Sequence, residues 1–216
     1  MKTFKQFYTE ALEAKLIVIF PGRFQPFHTG HKNYYDNAKK MFPQADFYIA
    51  TSDINPKNAA KEPDRYPFTF AEKKEIITAT GVPADEVVQT VQPYRPIEIL
   101  QKYNPDTDKV IYLVGEKDMK EDPRFAFTPT KSGAPSYFQP FKTLDEMVSF
   151  KEKGGHGYVV APGTITFSIN GKQIQSASEL RKMFKESDNN QRMEIVADVI
   201  GHPNQKIYDL FTKKLG

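Results

Sequence analysis

Leu16-Ile17-Val18-Ile19-Phe20-Pro21-Gly22-Arg23-Phe24-Gln25-Pro26-Phe27-His28-Thr29-Gly30-His31 is the stretch from which the fold is read. Its first five residues form a short, β-branched apolar run, which predicts a buried strand. Residues 33–41 carry a helical pattern. The part between them therefore joins a strand to a helix, the setting in which an α/β sheet holds phosphate groups. Gly22 lets the backbone turn tightly. Backbone N–H groups around residues 29–31 open the helix and can face an anion. His28 and His31, three apart, fall on one side of that first turn and offer donors to the same phosphate. Gly30 between them leaves room for a nucleotide to approach the backbone.

His28-Thr29-Gly30-His31 has the His-x-Gly-His form of the nucleotidylyltransferase superfamily. The longer string from Gly22 to His31 resembles most the archaeal-type nicotinamide-nucleotide adenylyltransferases and their phage-encoded relatives. That resemblance implies an α/β, Rossmann-like, doubly wound parallel sheet. It also implies an enzyme that transfers AMP from ATP to a phosphate-bearing acceptor, nicotinamide mononucleotide first among candidates, and releases pyrophosphate. A cytidylyltransferase using CTP, or another adenylyltransferase of the superfamily, is the alternative. His28 and His31 become catalytic residues under this resemblance, while Gly22, Arg23, Phe24 and Gly30 bind the nucleotide or its phosphates.

Two further segments fit. Ser176-Ala177-Ser178-Glu179-Leu180-Arg181 reads alone as an ordinary capped helix, with Ser176 or Ser178 as the cap. Its N–H groups and the Arg181 guanidinium suit phosphate oxygens. The segment resembles the superfamily's Ile-Ser-x-Thr-x-Ile-Arg signature, with Ser178 in place of Thr; this makes Arg181 catalytic and Ser176 and Ser178 phosphate-binding. Arg65-Tyr66-Pro67-Phe68-Thr69-Phe70-Ala71-Glu72-Lys73 resembles the family's Arg-x-Pro-Phe-Thr-x-x-Glu-Arg segment, which implies acceptor binding by Arg65 and Lys73. The other reading is a Pro-led helix start with Arg65 in solvent. Lys73 keeps the charge of the family's Arg but loses its bidentate geometry. Gly115-Glu116-Lys117-Asp118 follows another apolar run and reads alone as a polar strand-end turn; it resembles the Gly-x-x-Asp end of the superfamily's later strand, which lines the nucleotide or acceptor pocket and implies nucleotide binding by Gly115 and Asp118. Residues 52–57 lack the Ser-His pair of the archaeal enzymes, a departure that bears on the acceptor.

The remaining signals alternate. Strands are expected at 47–52, 87–91, 110–114 and 158–161, and helices at 70–80, 96–103 and 143–153. Strands separated by helices argue for parallel βαβ units. In such sheets ligands sit beyond the carboxyl ends of the strands at the switch point. Asn170-Gly171 between residues 164–169 and 173–175 signals a hairpin. Residues 122–141, with Pro123, Pro129, Pro135 and Pro140 among five aromatic residues, form a long ordered insertion: a surface segment packed by its own rings, or a flap over the acceptor. The domain reading is a leader or docking helix at 1–14, a core at 15–175 that includes the insertion at 122–142, and a helical part at 176–216.

Residues 1–14 place Phe4, Phe7, Tyr8, Ala11 and Leu12 at helical spacing, as in a docking helix. They also resemble the capsid-targeting leader of internal proteins of tailed phages, which implies cleavage after Glu10 or Glu13 and packaging in a virion. A cargo protein with vestigial activity is thus the rival of another class. A net charge of +3 without a basic stripe argues against nucleic acid as partner. The absence of Cys excludes thiolate catalysis and suits a reducing compartment. No apolar run approaches the about 20 residues of a membrane span. The expectation is a cytoplasmic protein, of the host cytoplasm or the virion interior if phage-encoded. His156 and His202 read as turn or surface residues. No His/Asp/Glu spacing suits an all-protein metal site, so Mg²⁺ is expected to arrive on the nucleoside triphosphate.

Overall fold

A computed structural model describes residues 14–151 and 154–216. The leader or docking helix expected at 1–14 lies outside them except for Ala14.

The expected first strand is β1 (Leu16–Pro21). It pairs in parallel with β2 (Asp46–Thr51) on one side and β4 (Lys109–Leu113) on the other. With β3 (Val87–Gln89), β5 (Phe138–Pro140) and β6 (Gly157–Val160) the sheet runs β3-β2-β1-β4-β6-β5, every pair parallel. The chain leaves β1 toward β2 and later returns to β4, so the switch point lies between the carboxyl ends of β1 and β4. That is where an open α/β sheet leaves a crevice.

Successive β1 side chains alternate between two apolar layers, as a strand buried on both faces must. Val18 and Phe20 face the layer built with α1 (Thr29–Met41), α3 (Phe70–Ala79) and the helices α6 (Ala177–Glu186), α7 (Asn189–Ile200) and α8 (Gln205–Leu215). Ile17 and Ile19 face a thinner layer of Ile99, Tyr112, Phe125 and Phe150. A six-residue helix, α2 (Pro56–Lys61), rides on the surface with no buried residue, and α5 (Glu116–Glu121) follows β4. Thr69 and Asp188 close capping boxes on α3 and α7, and Asn204 caps α8. The hairpin appears as β7 (Ser168–Ile169) and β8 (Lys172–Gln173), with Asn170 and Gly171 both at positive φ, 48° and 74°.

Three expectations change. The helix expected at 96–103 shrinks to α4 (Ile97–Leu100), because Lys102 and Tyr103 turn their N–H groups to carbonyls only three residues back. Residues 143–151 hold no helix. Buried Met147 and Phe150 have helical spacing, but Val148 N–H goes to Tyr158 Oη and Phe150 N–H to Asp108 O. Tertiary partners took the donors a helix would have used. The insertion, expected as irregular chain, supplies edge strand β5. Phe138 packs on Tyr112 of β4 and on Phe125 with ring centroids 5.2 and 5.5 Å apart, so the insertion is held by the sheet as well as by its own rings.

Candidate active site

The chain leaves β1 through Gly22, whose N–H donates to Ala50 O at 3.0 Å. A Cβ on Gly22 would lie 2.5 Å from the Phe24 ring, so this glycine answers to close packing. The left-handed residue of the turn is Phe24 itself, at φ 46°. Such a conformation costs a bulky residue about 1–3 kcal/mol and persists only where packing enforces it. Here the Phe24 ring meets Phe20, Phe27 and His31 at 5.2–5.3 Å. The Gln25–Pro26 peptide is cis. Buried Gln25 donates from Nε2 to Phe68 O and accepts from Phe68 N–H at Oε1 (2.9 and 3.0 Å), which joins the motif loop to the segment before α3.

Helix α1 begins at Thr29, earlier than the periodicity suggests, with His28 as N-cap. The two imidazoles stand 3.8 Å apart, His28 stacked on Phe167 and His31 on Phe27. His28 N–H donates to His31 Nδ1 at 3.3 Å, which assigns the His31 proton to Nε2. His28 Nδ1 is buried with no hydrogen-bond partner. Burial pushes the His28 pKa down to about 3. Burial, and then the nearby His28, hold His31 well below the ordinary imidazole value. Both rings are therefore neutral at pH 7, and each offers one N–H. A bound polyanion favours the protonated form and raises both values.

Helix α6 delivers the second motif. Ser176 is its cap, accepting Glu179 N–H at 3.2 Å; Ser178 instead accepts from Arg181 at 3.1 Å. Arg181 also donates to Gln25 O at 2.7 Å, so its guanidinium touches both motifs although 156 residues separate the two partners. Burial lowers its pKa, Asp64 raises it, and like charges on Arg23 and Arg65 lower it further. Arg23 and Arg65 thus lie near enough for their charge to act on Arg181, and guanidiniums are groups suited to phosphate oxygens.

These groups line one cavity of about 1730 Å³ beyond the carboxyl ends of β1 and β4. His28, His31, Arg23, Ser176, Ser178 and Arg181 line it, with Gly22 and Phe24. Gly115 and Asp118, at the end of β4 and on α5, form another part of the wall. Arg65 reaches the rim, paired with Glu62 at 3.0 Å, while Arg23 contacts Tyr66 Oη at 3.5 Å.

Two expected site residues are absent from the wall. Gly30 is buried, and a Cβ there would lie 2.2 Å from Thr166 O: the room it leaves is filled by protein backbone, not by a nucleotide. Lys73 is 2% exposed and donates inward to Arg23 O, Thr51 Oγ1 and Ser52 O, so it cannot meet an acceptor in this cavity.

Other wall residues escaped sequence reasoning. Arg124, bidentate to Asp122, lies 3.9 Å over the Tyr94 ring and brings a cation and an aromatic ring to the cavity wall. It sits in the insertion, where nothing local signals it. Lys182, Lys185 and Lys214 also line the cavity. The first two follow Arg181 on one helix, a signal that was legible; Lys214 arrives from α8, which only the fold brings near.

Among the described residues no helix is long and apolar enough to cross a membrane. His202 is exposed and lies 3.0 Å from Ala79 O; His156 is half-buried in irregular chain directly before β6, with its Nδ1 buried.

The neutral histidines make stability depend on acid. An unfolded chain takes up a proton on each near pH 6.5, whereas folded His28 resists until about pH 3. The contribution of His28 is therefore complete above about 6.5 and falls between those values by about 1.4 kcal/mol per pH unit, and His31 acts in the same direction. Urea titrations from neutral to mildly acid pH should show this loss, and His28→Asn should reduce its slope.

A six-stranded parallel sheet with imidazole and guanidinium donors gathered beyond its switch point defines a Rossmann-like α/β protein. Residues 19–188 match the family model described as cytidylyltransferase-like, and the chain belongs to that family. No curated protein matches the chain. Among solved structures it is similar to the crystal structure of a macrolide-efflux protein from Streptococcus pneumoniae, at 16% identity and a TM-score of 0.42. That similarity covers 88% of this chain and 65% of the other, so this chain spans under two thirds of that structure; at this level it carries no argument.

Proposed function

We propose that the protein transfers AMP from ATP to nicotinamide mononucleotide and releases pyrophosphate. The observation that carries this reading is Arg181 bridging Ser178 and Gln25 beside the paired imidazoles, in one cavity at the switch point. An ionised acceptor phosphate oxygen attacks the α-phosphorus in line. One P–O bond forms, the bond to the β-phosphate oxygen breaks, and its electron pair leaves with pyrophosphate. The attacking oxygen carries no proton at neutral pH, so the site needs no general base. It needs placement and relief of charge on the phosphates. The neutral His28 and His31 donate N–H groups, and Arg181 and Arg23 supply positive charge. The first turn of α6 adds backbone donors.

No group of three or more His, Cys, Asp or Glu among the described residues is placed to hold a metal ion by itself. Four carboxylates line the cavity, Glu62, Asp64, Asp118 and Asp122; Glu62 and Asp122 are paired with Arg65 and Arg124, which suits an ion carried mainly by phosphates and water. Mg²⁺ brought by the triphosphate would supply further charge neutralisation there. Nicotinamide mononucleotide is favoured by the resemblance of the motif string and by Arg65 on the rim. CTP is favoured by the family's description.

A pyrophosphate-release assay of the full chain tests the choice, with ATP or CTP against nicotinamide mononucleotide and other small phosphate esters. Fastest release with ATP and nicotinamide mononucleotide is expected. Release with CTP alone, or only with another acceptor, would replace this reading.

A further inference from the structure

Lys73 is the strongest feature that transfer chemistry leaves unused. It is a lysine 2% exposed, and its ammonium donates to Arg23 O at 3.2 Å, to Thr51 Oγ1 at 2.9 Å and to Ser52 O. Three donors thus meet three oxygens, and all three oxygens are neutral. Among the described residues no carboxylate forms an ion pair with it. Burying a cation on neutral acceptors is costly, and a Met of similar length would avoid that cost. What the lysine supplies instead is a tie between two loops at the cavity. Arg23 O belongs to the turn after β1, directly before Phe24 with its φ of 46°; Ser52 O belongs to the turn after β2. Without the ammonium, Arg23 O keeps only a 3.4 Å contact from Thr51 Oγ1.

We propose that Lys73 is a positioning residue: its ammonium holds the Arg23–Phe24 turn against the end of β2 and so sets the phosphate-binding groups that the turn carries. It touches no substrate. The role stands on the three contacts, on burial and on the strained neighbour.

The latch also depends on protonation. Burial lowers the Lys73 pKa to about 8, while Asp53 raises it. Of the other charged groups nearby, Glu72 on α3 is engaged by Lys214 at 2.9 Å and by Thr69. The turn after β1 offers Lys73 only a carbonyl, and β2 only a hydroxyl. Above about pH 8 the amine keeps two donors for three acceptors, and the tie loosens.

The test is backbone amide exchange, corrected for intrinsic rates, on full-length wild type, Lys73→Met and Lys73→Arg at about pH 7 and about pH 9.5. Exchange in residues 22–27 and 51–54 should rise about tenfold in Lys73→Met, and in wild type at the higher pH. Lys73→Arg, whose guanidinium stays charged, should keep its protection at both. The KM for the triphosphate should follow exchange, with kcat changed less. Protection in wild type that ignores pH, or a pH dependence that persists in Lys73→Arg, overturns the proposal. So does a folded Lys73→Met with unchanged exchange at residues 22–27. If Lys73→Met does not fold, the wild-type and Lys73→Arg comparison decides alone. The kinetic arm rests on the proposed transfer reaction. The exchange arm uses no substrate, so failure of that reaction and failure of the latch remain distinguishable.

Discussion

His31→Ala lowers turnover at least about a hundredfold while the protein stays folded. The ring is held on three sides, by Phe27 at 5.2 Å, by the Phe24 edge at 5.3 Å and by His28 at 3.8 Å. His28 N–H occupies its Nδ1, which leaves the Nε2 proton as its one donor. A donor preset in this way has no reorganisation left to undergo as charge builds on a phosphate. Removing one such donor typically costs about 2.7–4 kcal/mol of barrier, or about 10² to 10³ in rate. Arg181→Ala should lose as much, with a larger rise in KM, because that side chain also fixes the Gln25 carbonyl. His202→Ala is the control: its exposed ring lies away from the cavity and should leave the rate unchanged. Single-turnover kinetics beside a thermal melt would check all three. A folded His31→Ala enzyme that keeps a tenth or more of its rate would reduce the histidine to a packing role.

Gly30→Ala, by contrast, should damage the fold. Alanine gains about 1 kcal/mol over glycine in a helix interior. Here its Cβ would sit 2.2 Å from Thr166 O and 3.0 Å from Thr166 C, backbone atoms that cannot swing aside. Overpacking costs about 1–3 kcal/mol even where side chains give way, so the collision outweighs the propensity gain. Residue 167 follows directly and stacks on His28, so the displacement reaches the site. A melting temperature lower by several degrees and an activity loss of about tenfold are expected. At Gly115 an added Cβ would meet only Ile165, at 3.7 Å, and Gly115→Ala should melt like the parent. Equal melting of the Gly30 and Gly115 variants would refute the packing account.

The parallel sheet was legible because a strand buried on both faces writes a continuous apolar run, as at residues 16–20 and 110–114. The shared cavity of the two motifs was legible because tight turns and helix caps leave local signatures: the His28 to His31 string and Ser176 before Arg181. Where reading failed, the deciding contact was distant. Met147 and Phe150 have helical spacing, yet Tyr158 and Asp108 claimed the neighbouring donors. The insertion became an edge strand because Phe138 found Tyr112 and Phe125.

Gly30 and Lys73 mark the same boundary inside the site. Local pattern names the residue type at each position: a glycine in a helix start, a cation after a capped turn. It cannot say what occupies the space beside them, since a side chain's neighbours are settled when remote segments pack. The chain alone thus specified the strand order's signals, the caps and the paired imidazoles, all products of short-range geometry. Folding in three dimensions assigned the rest: Thr166 against Gly30, two carbonyl oxygens and a hydroxyl around Lys73, and Arg124 over Tyr94. Those are contacts between segments far apart in sequence, and close packing rather than periodicity chooses them.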